Sequence, residues 1–303
     1  MKQQQACLFG GTGFVGRHLA RRLGGAGYRC ILPTRRAERH RDLKLYPDVE
    51  LLPVSDLSSA TLDNCLAGCD LAVNLIGILN EGSNNGFQQV HVDLVQRISS
   101  AAGRAGVRRL LHLSALNADA SNANSAYLRS KGEGEDIAHR VGSETGLIVT
   151  SFRPSVIFGR GDSFFNRFAQ LLELTPGILP LACPDARFAP VWVDDVTEAM
   201  LRAITDQRAF GRRYDLCGPR IFTLAELVEY TARRVGKRLW LAHLNDRASR
   251  LQARLFEYIP GKPFTLDNYH SMQTPSICGE HNGLLEFGVH PTDIDAVVPT
   301  YLG

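Results

Sequence analysis

A short apolar run, Ala6-Cys7-Leu8-Phe9, breaks into Gly10-Gly11-Thr12-Gly13-Phe14-Val15-Gly16 and passes at once into Arg17-His18-Leu19-Ala20-Arg21-Arg22-Leu23, which has helical spacing. Strand, glycine turn and helix in that order build a phosphate cradle at a helix start. Gly10 permits the tight turn, Gly13 leaves the backbone open to a pyrophosphate, and Gly16 lets the helix lie close on the strand. Thr12, Phe14 and Val15 belong to the same turn. The expected ligand is a nicotinamide dinucleotide, and the competing reading is a purely structural turn.

Apolar, β-branched segments recur at 29–34, 49–54, 71–76, 109–114 and 148–152, with helical spacing over 90–105 and 126–143 between them. That alternation predicts an α/β fold: a Rossmann doubly wound parallel sheet covered on both faces by right-handed crossovers. After Arg153-Pro154 the pattern loosens into Gly159-Arg160-Gly161-Asp162 turn chemistry, punctuated by Pro176, Pro180, Pro184 and Pro190. Residues 1–158 are therefore expected to form the nucleotide-binding domain and 159–303 a smaller, discontinuous lobe for substrate or partner. Strands near 188–193 and 213–217 are expected to return to the main sheet.

Hydrophobic content of 44% and charged content of 21% are those of a globular chain, and apolar runs such as 71–76 are too short to cross a bilayer. A first strand beginning by residue 6 leaves no room for a signal peptide, so a cytoplasmic protein is expected. The net charge of +3 carries no nucleic-acid signature. Seven cysteines, odd in number and without a CxxC pair, read as small buried hydrophobes of a reducing compartment. Neither they nor the nine histidines have metal-ligand spacing, so no metal is expected.

The second strand ends Leu32-Pro33-Thr34-Arg35-Arg36, where an NAD-selective site would offer a carboxylate to the adenosine ribose. Arg35 and Arg36 would instead pair with the extra phosphate of NADP(H), NAD(H) remaining possible; the alternative is a solvated basic loop. Asp56 and Leu57, after the third strand, are placed to meet an adenine, although Asp56 would equally cap the next helix. Leu75, Gly77 and Pro154, at later strand ends, complete the expected cofactor contacts.

Tyr127 and Lys131 stand four apart in a helical stretch, so both side chains share a face. An ammonium beside a phenol would lower its pKa toward working pH, letting Tyr127 exchange a proton with a substrate carbonyl or hydroxyl while hydride moves at the nicotinamide. Lys131 would also hold the nicotinamide ribose, and Ser114, ending the preceding strand, would hydrogen-bond the reacting oxygen. His91 and Asp93 would orient a water or this pair, or serve structure alone. Asp195 with Glu198 three residues later reads as a capping box opening a helix rather than as paired catalytic acids. Over 247–259, Leu251, Leu255, Tyr258 and Ile259 share one face and Arg247, Arg250 and Arg254 form a stripe. Such a helix lies on a membrane or a partner, or packs on its own domain.

With the glycine turn, Ser114, Tyr127-x-x-x-Lys131 and Arg153-Pro154-Ser155-Val156-Ile157-Phe158-Gly159 in order, the chain resembles an extended or atypical short-chain dehydrogenase/reductase, of the NAD-dependent epimerase/dehydratase type. The stretches 158–168, Ala189-Pro190-Val191-Trp192-Val193-Asp194-Asp195-Val196 and Pro260-Gly261-Lys262-Pro263-Phe264-Thr265 resemble the branch that holds the nucleotide-binding accessory subunit of respiratory complex I and its bacterial relatives. The resemblance implies NAD(P)H, often NADPH, beside a lobe that shapes a small-molecule pocket. In the wider superfamily an Asn on the helix before the serine strand completes a proton relay; here Val90-His91-Val92-Asp93-Leu94 has none. Two functions are thus expected to compete. One is an NADP-dependent oxidoreductase or epimerase-like enzyme; the other is a non-catalytic accessory factor with a quinone or peripheral membrane contact, at the inner face of the membrane.

Overall fold

The computed structural model describes residues 3–82, 86–175, 177–259 and 261–303; Pro176 and Pro260, named above, lie outside these. In chain order the early elements are β1 (Gln5–Phe9), α1 (Phe14–Gly25), β2 (Arg29–Thr34), β3 (Val49–Pro53), α2 (Ser59–Leu66), β4 (Leu71–Asn74), α3 (Leu94–Arg104), β5 (Arg109–Leu113), α4 (Ala126–Thr145) and β6 (Ile148–Pro154). Then follow β7 (Ile157–Phe158), α5 (Phe165–Leu174), β8 (Ile178–Leu181), β9 (Arg187–Phe188), β10 (Val191–Trp192), α6 (Val193–Ala203), β11 (Arg213–Leu216), β12 (Phe222–Thr223), α7 (Leu224–Arg234) and β13 (Trp240–His243). The chain closes through α8 (Asp246–Phe256), α9 (Leu266–Met272), α10 (Gly283–Glu286) and α11 (Ile294–Val297).

Seven parallel strands form the main sheet in the order β11-β6-β5-β4-β1-β2-β3. The chain reverses direction of travel across the sheet between β1 and β4, and ligands of such sheets bind at that switch point, beyond the carboxyl ends of the strands. Alternation along β1 sorts the core into two layers. Leu8 packs with Leu19 and Leu23 of α1 and with Val196 and Met200 of α6, while Cys7 and Phe9 face Leu62, Leu66 and Ile98 of the opposite layer. Burial on both faces is why these strands read as continuous apolar runs.

The expected strand at 213–217 is β11, which joins the main sheet beside β6. The expected strand at 188–193 does not return to it. Its residues split into β9, antiparallel to β12, and β10, parallel to β7, because Ala189 and Pro190 bend the chain between two short pairings. Smaller apolar clusters around α5 and α7 complete this part of the molecule, joining Phe158 and Phe165 to Leu227, and Leu172 to Leu179, Val228 and Leu241.

Two further expectations are corrected. Helix α6 starts at Val193, two residues before the proposed cap, so Asp195 and Glu198 do not form a capping box. Instead, the buried Asp195 carboxylate accepts from Thr292 N (2.7 Å) and Oγ1 (3.1 Å), Asp194 meets His18 of α1 at 2.7 Å, and Glu198 pairs with Arg22 and Arg202. Among the cysteines, Cys7, Cys30, Cys65 and Cys69 are buried thiols as expected, but Cys217 and Cys278 are joined in a disulfide. Their separation of 61 residues, with Cα atoms 5.9 Å apart, is a consequence of tertiary folding that spacing does not reveal. No helix among the described residues is long and apolar enough to cross a membrane.

Candidate active site

The β1–α1 turn is built from backbone contacts that exclude side chains. Gly10 has φ of +83°, and a Cβ there would lie 3.1 Å from Ile76 N on the neighbouring β4 crossover. At Gly16 a Cβ would stand 2.4 Å from Gly10 O, so helix and turn touch through main chain alone. The N–H groups of Gly11 and Gly13 close the turn on Leu8 O and Gly10 O, each at 3.0 Å. Gly13 occupies the N-cap position of α1 without a side-chain cap, and no acidic residue stands in the first turn. The positive end of a twelve-residue helix thus faces outward without a carboxylate of its own, which fits a pyrophosphate. Thr12, Phe14 and Val15 are half-buried around it.

The remaining predicted contacts line the carboxyl edge of the sheet. Arg35 and Arg36 follow β2 directly and are exposed. The nearest acids in sequence are engaged elsewhere, Glu38 with Arg41 and Asp42 with Arg17, and among the described residues neither Arg35 nor Arg36 has a carboxylate partner. Asp56 accepts from Ser58 N (2.9 Å) and Thr61 Oγ1 (3.1 Å), bonds that hold its carboxyl below the usual carboxylate range, the Ser58 backbone foremost. Asp56 therefore organises the start of α2, although Ser58 is the cap residue itself. Leu57 is half-buried next to it, and Leu75, Gly77 and Pro154 lie past β4 and at the end of β6.

Around β5, α4 brings Lys131 against the strand end that carries Ser114. Ser125 Oγ accepts from Leu128 N and starts the helix. One turn along, Lys131 Nζ donates to Leu113 O at 2.7 Å, and a Cβ on Gly77 would be 3.9 Å from that nitrogen. The next residue, Ser114, is buried, and its Oγ finds no hydrogen-bond partner among the described residues. A buried hydroxyl left unpaired is costly, so a ligand atom or an ordered water beside it would be bound favourably. Tyr127, half-buried, has the rings of Phe87 and His91 edge-on at 5.9 and 5.6 Å.

His91 serves structure. Its Nε2 accepts from Ile78 N (3.0 Å), which leaves the proton on Nδ1 for Ser130 Oγ (2.9 Å), and that hydroxyl donates to Tyr127 O (2.8 Å). Burial first, then the neighbouring Lys131, pushes its pKa down to about 3, so it stays neutral. The imidazole thus pins the loop after β4 to α4. Asp93 is exposed and accepts from Gln88.

Sequence reading missed Asp267 and Glu135. Asp267, in the first turn of α9, accepts from the N–H groups of Ala126 (2.6 Å) and Tyr127 (3.0 Å), capping α4 from a segment 140 residues away. Its charge and burial, burial being the larger cause, push the Tyr127 phenol up to about 12. Burial pushes Lys131 down to about 8, opposed by Glu135. The expectation of a phenol lowered by its lysine is not met: burial, with the Asp267 charge adding to it, raises the phenol, and the ammonium donates to Leu113 O. Glu135 is fully buried, accepts from Arg153 in bidentate fashion (2.6–3.1 Å) and also binds Arg213, which bridges on to Asp136 at 2.8 Å. One carboxylate thereby ties α4 to β6 and β11.

The segment 262–276 roofs this end of the site. Asn80 Nδ2 donates to Lys262 O (3.0 Å), Lys262 Nζ to Glu81 O (3.2 Å), Asn117 Nδ2 to Pro275 O (2.9 Å) and Ser155 Oγ to Ser276 O (2.7 Å). Asp162 in the Gly-Arg-Gly-Asp turn is a structural corner, accepting from the N–H groups of Gly159, Phe164 and Asn166 and from Tyr301 Oη. No cluster of three or more possible metal ligands occurs among the described residues.

The chain is similar to the NADH dehydrogenase (ubiquinone) 1 alpha subcomplex subunit 9 of Mus musculus, 30% identical over 96% of this chain and 77% of that protein. To the NADH-ubiquinone oxidoreductase 40 kDa subunit of Neurospora crassa it is 28% identical over 77% of this chain, spanning 60% of the relative's length. A ceramide reductase of Caulobacter vibrioides is 32% identical over 64% of this chain and 59% of its own. The model of the NAD dependent epimerase/dehydratase family matches residues 6–217, which hold the glycine cradle, Ser114, Tyr127 and Lys131. With an NAD(P)-binding Rossmann fold of the short-chain dehydrogenase/reductase kind built on those residues, the chain belongs to the NAD dependent epimerase/dehydratase family.

Proposed function

We propose that this protein is an NADPH-dependent reductase of a small carbonyl or quinone substrate. The observation that carries this reading is the orphaned Ser114 hydroxyl beside the Lys131–Leu113 bond, an unspent donor where a substrate oxygen would lie. A reduced nicotinamide, held by the β1–α1 turn and by Lys131 at its ribose, supplies a hydride when bound. Ser114 Oγ donates a hydrogen bond to the substrate oxygen, and Tyr127 Oη gives it a proton. A phenol held near 12 stays protonated throughout the neutral range, which is the form that proton donation in the reductive direction requires. Arg35 and Arg36, free of carboxylate partners, would take the 2′-phosphate and so favour NADPH over NADH. Calorimetric titration with both coenzymes tests this: Arg35→Ala with Arg36→Ala should weaken NADPH by about a hundredfold at charge-assisted bond strengths and leave NADH within about twofold. Equal losses for both coenzymes, or none, would remove the two arginines from the site.

The pH profile follows from the two titrating groups. Reduction needs Tyr127 protonated and Lys131 as the ammonium, so the lower pKa sets the alkaline limb. With Lys131 at about 8, kcat/KM for NADPH oxidation should be flat below that pH and fall above it, and Lys131→Arg should move the limb upward. A limb that stays in place in the arginine variant contradicts this assignment.

A second reading, an accessory subunit that binds NAD(P)H without turnover, is favoured by the 30% identity to the mouse subunit along nearly the whole chain and by the lack of an Asn in the stretch 90–94, where the resemblance implies one. Coenzyme uptake without oxidation by any of a ubiquinone analogue, an aliphatic diketone or an aldehyde would select it.

A further inference from the structure

We propose that the face formed by the end of α5, the β8–β13 ribbon and α8 docks on an anionic lipid surface. Of the thirteen large hydrophobic residues exposed among the described residues, eight lie between Leu171 and Ile259 on these elements or just after them. Leu174 ends α5 at 84% exposure, four residues before Ile178 opens β8. In that ribbon Trp240 stands opposite Ile178, both exposed, while Leu179 and Leu241 point inward to the core. The Pro180 carbonyl, on the edge of β8 turned away from β13, accepts from Gln252 Nε2 (3.1 Å), which lays α8 along that edge.

Helix α8 buries Ser249 and Ala253 and turns the opposite side to solvent. At 100° per residue, Leu251 and Leu255 sit on that side next to Arg247, Arg250 and Arg254. The two leucines are each 58% exposed, and Tyr258, just past the helix, is 89% exposed. Lys237 and Arg238, before β13, are exposed as well. Of the α8 arginines, Arg250 lies over the Tyr269 ring, and none has a carboxylate partner among the described residues. An apolar stripe flanked by unpaired guanidinium groups suits a bilayer interface bearing negative headgroups, where leucines enter the acyl boundary and arginines stay at the phosphates. A second copy of this chain would bring the same positive charges against each other, which argues against self-association through this face.

Vesicle flotation tests the proposal with the full chain. Binding is expected to vesicles of phosphatidylcholine containing about one third phosphatidylglycerol and to be lost on phosphatidylcholine alone, since each basic residue contributes on the order of 1 kcal/mol only at an anionic surface. Arg247→Ala with Arg254→Ala should weaken binding by about thirtyfold at low salt, and Leu251→Glu with Leu255→Glu should abolish it. All variants should melt with the parent and keep its NADPH affinity, because these side chains are exposed and away from the cradle. Equal binding to neutral vesicles, no binding to either, or light scattering that shows a dimer dissolved by the leucine pair would each overturn it. A failure here leaves the coenzyme titration untouched, so the two proposals fall separately.

Discussion

Tyr127→Phe should lower kcat for NADPH-dependent reduction by about a hundredfold to ten-thousandfold, the range attributable to a positioned general acid, while NADPH binding changes by less than about twofold. The asymmetry follows from where the phenol sits. It packs against Phe87 and His91 through its ring, contacts that phenylalanine keeps, whereas the coenzyme affinity proposed above rests on the glycine turn, Arg35, Arg36 and Lys131. Ser114→Ala should give a smaller loss in kcat and no destabilisation, since its hydroxyl is already without a partner in the folded protein. A Tyr127→Phe enzyme with parental kcat would take the phenol out of the chemistry. Parallel loss of coenzyme binding would point instead to a distorted α4.

Glu135→Gln is the substitution with the largest expected effect on stability, about 3 kcal/mol. Removing one charge from a buried ion pair typically costs about 3–5 kcal/mol. The lower end applies because the arginine side chains are 26% and 35% exposed and water screens part of their stranded charge. At about 2–4 °C per kcal/mol for a chain of this size, the melting temperature should drop by roughly 6–12 °C. In denaturant the midpoint should move with the slope unchanged. A shift smaller than about 1 kcal/mol would mean that Arg153 and Arg213 reach water once the carboxylate is gone.

The amino-acid sequence determined the alternating strand and helix order of β1 to β6 and the glycine turn, because both rest on local rules. Strands β1, β4, β5 and β6 are mostly buried runs, and Gly16 sits where a Cβ would strike the Gly10 carbonyl only six residues away. Tyr127 and Lys131 were equally legible, being one helical turn apart. What tertiary structure alone decided is whatever depends on residues far apart in the chain. Asp267 reaches Tyr127 across 140 positions, Arg213 reaches Glu135 across 78, and Cys217 reaches Cys278 across 61. The direction of the Tyr127 shift is decided the same way: helical spacing puts a lysine on the phenol's face of α4, but packing decides how deeply the phenol is buried and which partner the ammonium takes. Spacing encodes neighbours along one helix; charge environment is set by every element folded against it, and α9 arrives from the far end of the chain.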